Sequence, residues 1–369
     1  MLSKFAIDIV LTHMSHVSII ATLYHIKNSN TILIGDETLG SNVPPETGIR
    51  IPPSVLSRFV VDMFTEAGMS LSHAERMADL LVQTDLRGVH SHGSYKIIDY
   101  IHMIREGRVN PCPKLTVVNE TPTTRVYDGD GGLGHFPCFE GTTWAIKKAK
   151  EFGTSAITTQ NHFHFGGAGK YTRMAIAEDC FAVAVSSHRS PMSSDSLIKG
   201  VNCTSPISVA FPSGEQPPLV VDMGASMLPW DEALFERMPF AFFKELGIGA
   251  MNRVFGGMLA GIYLPQFMPP KSKWESNQGS FIAIYDVNCF MPADQFKREV
   301  DRFIEEARAM KPFPGFDTAE LPGGLEWQRE QDYARDGIPI SDSHREGLEA
   351  LAQEVGIATP FGQYDKTRF

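Results

Sequence analysis

Two short histidine pairs are the most reactive groups in the sequence. His90-Ser-His92 is followed by Gly93, and His162-Phe-His164 is followed by the glycine-rich segment Phe165–Gly169. Imidazole exchanges protons near neutral pH, so each pair could supply a general acid or base. Histidines two residues apart on a strand also point to the same side of a sheet and can bind one metal ion. Acid–base chemistry and a metal-dependent hydrolase are therefore both open.

A metal site of this kind needs further ligands, such as another histidine or nearby carboxylates. The sequence offers none at a convincing spacing, so the hydrolase is the second hypothesis and we expect no bound metal. The cysteines stand far apart without a CxxC pair, which disfavours a disulfide framework or a thiolate zinc site. A reducing, cytoplasmic location fits this usage. The five are Cys112, Cys138, Cys180, Cys203 and Cys289.

A cation and a phenol follow the first histidine pair. Lys96 and Tyr100 stand four and eight residues after His92, so on a continuous helix all three would share one face. Ser91 adds a hydroxyl group next to His92. An acid, a cation and a phenol together suit a small anionic carbonyl compound as substrate.

A glycine motif could suggest a different nucleotide site. Gly129-Asp-Gly-Gly-Leu-Gly134 matches GxGxxG between a predicted strand and a predicted helix, as in a Rossmann fold. The acidic residue expected about 20 residues later is absent, since the next strand ends in Thr158–Asn161. We therefore predict a glycine-rich turn with positive φ angles rather than a pyrophosphate site.

The elements that position these residues indicate a mixed α/β protein. The 369 residues are enough for two or three domains. Residues 1–49 form an extension of unknown role, 50–115 a helical segment, 116–290 an α/β domain, and 291–369 a C-terminal helical segment. Capping-box patterns at Ser72 and Ser343 predict two of the helix starts.

Charge and hydropathy exclude two classes of partner. With 33 basic and 43 acidic residues the formal charge is −10 and no basic stripe exists, so we expect no nucleic acid partner. No run of about 18 uncharged apolar residues exists either, so a membrane span is not predicted.

Several motifs in order resemble those of one family. Asp85–Gly93 resembles the D-x-R-G-x-x-S-H-G signature of the type-2 malate/L-lactate dehydrogenase family, which includes sulfolactate and ureidoglycolate dehydrogenases, diketogulonate reductase and cyclic-imine carboxylate reductases. The resemblance covers about residues 50 to 357. The further matching motifs are Asp128–Gly134, Asn161–Gly166, Thr204–Pro206, Pro217–Met223, Asn277–Gly279 and Leu321–Gly323.

The resemblance implies a fold, a cofactor and a reaction. The implied fold is a non-Rossmann nucleotide-binding sheet domain flanked by helical segments, in a homodimer. The implied cofactor is NAD or NADP. The implied reaction is a hydride transfer between NAD(P)H and a small 2-oxo acid or a cyclic imine carboxylate.

Site residues are carried over by position. His92 and His164 match catalytic histidines of different members, with Ser91 in a relay, and the choice between the two stays open. Lys96, Tyr100 and Arg189 match substrate-binding positions. The cofactor positions are Phe165, Gly166, Gly167, Thr204, Ser205, Pro206, Asp222, Met223, Gly224, Lys244, Pro322, Gly323, Gly324 and Glu326.

Some segments depart from the family pattern. Residues 192–203 lack the usual glycine- and Pro-Trp-containing loop, and residues 225–243 are shorter than usual. Ser205 replaces an Asn or Asp of the relay, and Gly324 stands in place of a Glu. A catalytically impaired relative is therefore a third hypothesis.

Overall fold

The computed structural model describes residues 42–267, 274 and 276–369, so the predicted extension lies mostly outside the described residues. The described strands, in chain order, are β1 (Gly48–Ile51), β2 (Thr116–Glu120), β3 (Thr124–Asp128), β4 (Thr154–His162), β5 (Cys180–His188), β6 (Pro206–Phe211), β7 (Leu219–Gly224), β8 (Gln278–Asp286) and β9 (Ile338–Ser341).

Helices surround these strands. They are α1 (Pro53–Glu66), α2 (Leu71–Leu86), α3 (Ile97–Arg105), α4 (His135–Phe152), α5 (Gly169–Ile176), α6 (Glu232–Arg237), α7 (Pro239–Arg253), α8 (Ala293–Arg308), α9 (Gly324–Asp336) and α10 (Asp342–Val355). A π-helical segment, Val254–Leu259, continues α7. Among the described residues, no helix is both long and apolar enough to cross a bilayer.

The main sheet has seven strands in the order β2-β3-β4-β8-β5-β6-β7. β3 and β4 run parallel, and every other neighbouring pair of that sheet is antiparallel. This is not the parallel βαβ arrangement of a Rossmann fold. The predicted mixed α/β, non-Rossmann fold is confirmed. Because β4 and β5 share a direction on either side of β8, both end at the same sheet edge.

The first and last described segments share one core. β1 pairs antiparallel with β9, so Ile49 lies opposite Ile340. Both side chains are buried with the apolar faces of α1, α2, α3 and α10. The sequence did not reveal β1 or β9, because four residues are too few to show the alternation that marks a strand.

The two capping-box predictions are wrong by two residues. The actual N-caps are Ser70 and Ser341, whose side chains accept hydrogen bonds from the backbone N–H groups of His73 and His344. The serine two positions earlier takes the capping role in each case, because the helix already begins at the residue that follows it.

The glycine motif forms the predicted turn. Gly131 has φ +68°, and a Cβ at Gly134 would lie 2.5 Å from Nδ1 of His162. Gly129 donates its N–H to the carbonyl of Gln160 at 2.9 Å. The motif therefore packs the start of α4 against the end of β4.

Candidate active site

The segment between α2 and α3 is folded around a buried carboxylate. Asp85 accepts a hydrogen bond from the N–H of Ser94 at 2.8 Å, and His90 Nδ1 lies 3.4 Å from its other oxygen. A Cβ at Gly93 would lie 1.9 Å from that oxygen, so only glycine fits there. The signature's Asp and Gly therefore act together, and their packing sets the path of His92.

The prediction of a single helix face is wrong. His90–His92 and Ser94–Lys96 are two separate 3₁₀ turns, and α3 begins only at Ile97. The close packing of Gly93 against Asp85 prevents a continuous helix from running through this segment. Lys96 and Tyr100 consequently do not line up with His92 as the spacing alone implied.

The two predicted histidines nevertheless lie side by side. The ring centres of His92 and His164 are 5.4 Å apart. Ser91 Oγ lies 2.8 Å from His92 Nδ1, and the Tyr100 hydroxyl lies 2.6 Å from His164 Nδ1. Tyr100 is therefore a partner of His164, while Ser91 is the partner of His92.

Burial makes these groups neutral at physiological pH. It lowers the pKa of His92 to about 3, and the positive charges of Lys170 and Lys96 act in the same direction. It also lowers the pKa of His164 well below its usual range. Burial raises the pKa of Tyr100, so the phenol keeps its proton. The site thus presents uncharged imidazoles that can exchange protons with a ligand.

Two further residues complete the cluster and were missed in the sequence. Lys170 Nζ donates to the carbonyl of His92 at 3.2 Å and lies 3.3 Å from His135 Nε2. Burial lowers the pKa of Lys170 to about 7 and that of His135 well below its usual value. The ring centres of His135 and His164 are 6.4 Å apart. His135 and Lys170 are not spaced regularly from the histidine pairs in the sequence. The only signal in the sequence is that His135 follows Gly134 and Lys170 follows Gly169.

The two predicted substrate cations differ in their surroundings. Lys96 Nζ contacts Asp99 at 2.8 Å, and its charge lowers the pKa of both His92 and His164. It is therefore close enough to influence the histidines while bound to a surface partner.

Arg189 is engaged elsewhere. Its guanidinium donates to the backbone carbonyls of Ile262, at 2.7 Å, and Ser276. Throughout the described part of the chain, no hydrogen bond joins it to His92 or His164. The structure therefore brings together Ser91, both histidines and Tyr100, with Lys96 nearby, but does not join Arg189 to them.

The predicted cofactor loop lies against the strand edge beside His92. Asp222, near the end of β7, accepts the N–H of Gly169 at 2.9 Å, and a Cβ at Gly169 would lie 2.6 Å from that carboxylate. Burial raises the pKa of Asp222 to about 6. The Tyr171 hydroxyl donates to the Phe165 carbonyl at 2.5 Å and holds the other end of the loop, which contains Gly166 and Gly167.

The remaining predicted cofactor residues occupy three places. Thr204 and Ser205 lead into β6, whose Pro206 pairs with Gly224 of β7. Ser205 is buried and donates to Ser187 Oγ at 3.1 Å. Met223 lies opposite Ile207 in the same strand pair.

The remaining predicted cofactor residues lie around the start of α9 and on α7. The Pro322 carbonyl accepts the N–H of Val220 at 2.9 Å, and Gly323 packs with φ +99° against the start of β7. Gly324 opens α9, and the charge of Glu326 contributes to the raised pKa of Asp222. Lys244 is exposed on α7, 5.7 Å from the ring centre of Phe240, and makes no contact with the other predicted cofactor residues of the described chain.

The strand edge also offers unpaired positive charge. Arg173, on α5 one turn beyond Gly169, makes no hydrogen bond or ion pair within the described residues. Burial lowers its pKa to about 10, and the charges of Glu326 and Asp222 oppose that effect. A dinucleotide carries two anionic phosphates, which fit a half-buried guanidinium next to a helix N-terminus. The residues present therefore fit such a cofactor.

Comparison with known proteins decides the family. The model for malate/L-lactate dehydrogenases matches residues 51–237 and 231–349, well over half of the chain. This protein belongs to the malate/L-lactate dehydrogenase family. Members are oxidoreductases, and the resemblance seen in the sequence motifs is thereby confirmed.

The relatives match most of this chain and almost all of their own length. Malate dehydrogenase from Pyrococcus horikoshii is 29% identical, with 85% of this chain and 97% of that protein covered. Its structure matches with a TM-score of 0.76 over 86% of this chain and 98% of that one. L-sulfolactate dehydrogenase from Methanocaldococcus jannaschii is 26% identical over 83% and 97%. An NAD(+) ureidoglycolate dehydrogenase from Escherichia coli is 23% identical over 80% and 93%.

The hydrolase hypothesis finds no support. The matched family and its relatives are dehydrogenases. Within the described segments, no group of three or more His, Cys, Asp or Glu residues is placed to bind a metal ion. His90 and His92 point to different partners, Asp85 and Ser91, rather than to a common centre.

Proposed function

We propose that this family member transfers a hydride between NAD(P)H and a small 2-oxo acid, with the corresponding 2-hydroxy acid as the product of reduction. The 2-oxo acids that correspond to malate, lactate and sulfolactate belong to this class. A cyclic imine carboxylate is the alternative substrate, and its reduction would give the cyclic amino acid. The observation that carries the proposal is the contact between His92 and His164 beside the Phe165–Gly169 loop.

The histidines move the proton that accompanies the hydride. In the oxidation direction an imidazole nitrogen accepts the proton of the substrate hydroxyl, and in reduction it returns that proton to the carbonyl oxygen. Such a positioned acid–base group typically contributes ~10²–10⁴-fold to the rate. Ser91 and Tyr100 orient the two rings through their hydrogen bonds.

A nicotinamide cofactor, when bound, supplies or accepts the hydride. Gly166, Gly167 and Asp222 at the strand edge, with Arg173 for the phosphates, are the residues that we assign to hold it. Thr204–Pro206, Met223–Gly224 and Pro322–Glu326 extend this surface along β7. Lys244 stays a prediction of the sequence motif.

Lys96 supplies positive charge for the substrate carboxylate. Among the described residues its Nζ has one ion-pair partner, the exposed Asp99, and its charge acts on both histidines. The surface pair costs little to open, since such pairs contribute about 0–1 kcal/mol. Arg189 as a second carboxylate ligand stays a prediction of the sequence and is not part of this proposal, because two backbone carbonyls already engage its guanidinium.

We further propose that the protein is a homodimer whose interface includes one face of α7 and of the π-helical segment that continues it. Phe240, Phe243, Met251, Val254 and Met258 recur at helical spacing, and between 39% and 62% of each is exposed. Such an apolar stripe marks an association surface more often than a solvated one. Light scattering at micromolar concentration should report a dimer for the wild type and a monomer for Phe243→Glu. A monomeric wild type would exclude the interface.

A substrate panel tests the proposed reaction. The purified full-length protein is assayed with oxaloacetate, pyruvate, sulfopyruvate and a cyclic imine carboxylate, each with NADH and NADPH. We expect cofactor oxidation with at least one substrate, and the preferred cofactor identifies NAD or NADP. Binding of neither cofactor, measured by fluorescence titration, would instead support the catalytically impaired relative.

The five thiols are free, which supports a reducing, cytoplasmic location.

A further inference from the structure

Asn42 precedes the first described strand and contacts the catalytic cluster. Its side-chain oxygen lies 3.0 Å from Ser91 Oγ, which in turn lies 2.8 Å from His92 Nδ1. The chain thus runs Asn42–Ser91–His92, from a residue of the predicted extension to one of the two histidines. None of the family motifs includes this position.

The chemistry of the three groups fixes the direction of both hydrogen bonds. An amide oxygen has no proton to donate, so the Ser91 hydroxyl must donate to Asn42. A hydroxyl has one proton, and Ser91 already donates it to Asn42. Its oxygen can therefore only accept from His92, which must carry its proton on Nδ1. Because the pKa of His92 lies far below neutrality, the other nitrogen, Nε2, is left as a free acceptor.

We propose that Asn42 is a positioning residue that fixes the neutral tautomer of His92 and so presents Nε2 as the base for the substrate hydroxyl. The catalytic part rests on the proposed function, whereas the tautomer does not. Without Asn42, the Ser91 proton can turn towards His92 Nδ1, and the ring then carries its own proton on Nε2. That form cannot accept a proton from a substrate.

The position of Asn42 is itself held by the fold. The buried Arg329 of α9 donates to the Asn42 backbone carbonyl at 3.0 Å. Arg329 also packs against the turn after α2, where a Cβ at Gly88 would lie 2.7 Å from its Cδ. The C-terminal helical segment therefore places the end of the extension next to the signature motif.

The tautomer is measured directly by ¹⁵N NMR of histidine side chains in the full-length protein without cofactor or substrate. His92→Gln identifies the His92 signals. We expect the wild type to carry its proton on Nδ1, Asn42→Ala to shift part of the population to Nε2, and Asn42→Asp, which keeps an acceptor oxygen, to restore Nδ1–H. Val43→Ala, at the exposed neighbouring position, should leave the signals unchanged.

Activity provides the second readout. For oxidation of a 2-hydroxy acid we expect Asn42→Ala to lower kcat about three- to tenfold with little change in KM, as for loss of one hydrogen bond. Asn42→Asp should recover most of the loss. A wild-type proton on Nε2, or an identical tautomer in Asn42→Ala, would overturn the proposal, as would an unchanged kcat alongside a shifted tautomer. An expected tautomer shift in a protein without dehydrogenase activity would instead overturn the proposed function and leave the tautomer assignment standing.

Discussion

Two regions of the molecule received functional predictions from the family resemblance, His92 as a catalytic residue and Arg189 as a substrate-binding residue. They differ in what surrounds the predicted side chain. Around His92, polar side chains contact one another: Ser91 contacts His92, and Tyr100 contacts His164. Around Arg189, the guanidinium contacts backbone carbonyls instead. A guanidinium that satisfies two carbonyls supports the chain, whereas neutral imidazoles with one nitrogen free can react.

The difference shows what a match of sequence positions leaves out. A motif specifies where a residue stands along the chain, but the partners of its side chain come from segments that are remote in sequence. Ile262 and Ser276 lie over 70 residues from Arg189. The variants below test whether the His92 and Arg189 regions differ in function as their contacts indicate.

Removal of either histidine should have the largest effect. We expect His164→Ala and His92→Ala to lower kcat by ~10²–10⁴-fold, because each removes a proton-exchanging group. Steady-state oxidation of NADH or NADPH with the best 2-oxo acid measures this, with thermal unfolding as the control for folding. If one variant keeps wild-type turnover, the remaining histidine alone is the acid–base group.

Arg189→Met tests whether Arg189 stabilises the fold or binds the substrate. We expect the free energy of unfolding in urea to fall by about 1–3 kcal/mol, because two partly buried carbonyls lose their donor, with kcat and KM nearly unchanged. An unaltered unfolding free energy together with a strongly raised KM for the 2-oxo acid would show instead that Arg189 binds the substrate carboxylate.

Lys96→Gln should act on substrate binding alone. We expect KM for the 2-oxo acid to rise about three- to tenfold, the size of one modest charge interaction, while the unfolding free energy changes little because the pair with Asp99 is exposed. Asp99→Asn is the matched control, since it frees the ammonium, and its KM should not rise. Equal KM values in Lys96→Gln and the wild type would remove Lys96 from the site.

Lys170→Met should change kcat least at neutral pH, and its effect should be seen in the pH dependence of kcat. The Lys170 charge lowers the pKa of His92, so its removal raises that pKa. Oxidation needs neutral imidazole and is lost as pH falls through the pKa; the acid limb of kcat should therefore move to higher pH. Lys170→Arg keeps the charge and should retain the wild-type limb. The difference should disappear towards neutral pH, where His92 is uncharged in both proteins. Superimposable profiles would show that Lys170 does not tune His92.

Much of this architecture could be predicted from sequence because local signals were strong. Val55, Phe59 and Met63 recur at four-residue spacing and pack in the core, and the inner strands β5 and β8 form apolar runs. The failures have physical causes. Lys96 and Tyr100 were assigned to the His92 helix face because spacing does not show that Gly93 must close against Asp85.

Partners made by tertiary packing could not be predicted. Lys170 reaches His92 across 78 residues, and Asn42 reaches Ser91 across 49. A buried lysine that contacts a carbonyl and an imidazole, as Lys170 does among the described residues, has no distinctive local pattern. A single Asn before a short strand has none either.

Transfer of deuterium from the cofactor to the substrate tests the central claim most directly. The protein is incubated with a reactive 2-oxo acid and NADH or NADPH that carries two deuterium atoms at C4 of the nicotinamide, and the product is analysed by mass spectrometry. We predict one deuterium at C2 of the 2-hydroxy acid with the wild type and a rate at least about a hundredfold lower with the His92→Ala, His164→Ala double variant. Product formed at the wild-type rate by the double variant, or the absence of deuterium in the wild-type product, would contradict the assignment of hydride chemistry to the His92–His164 site.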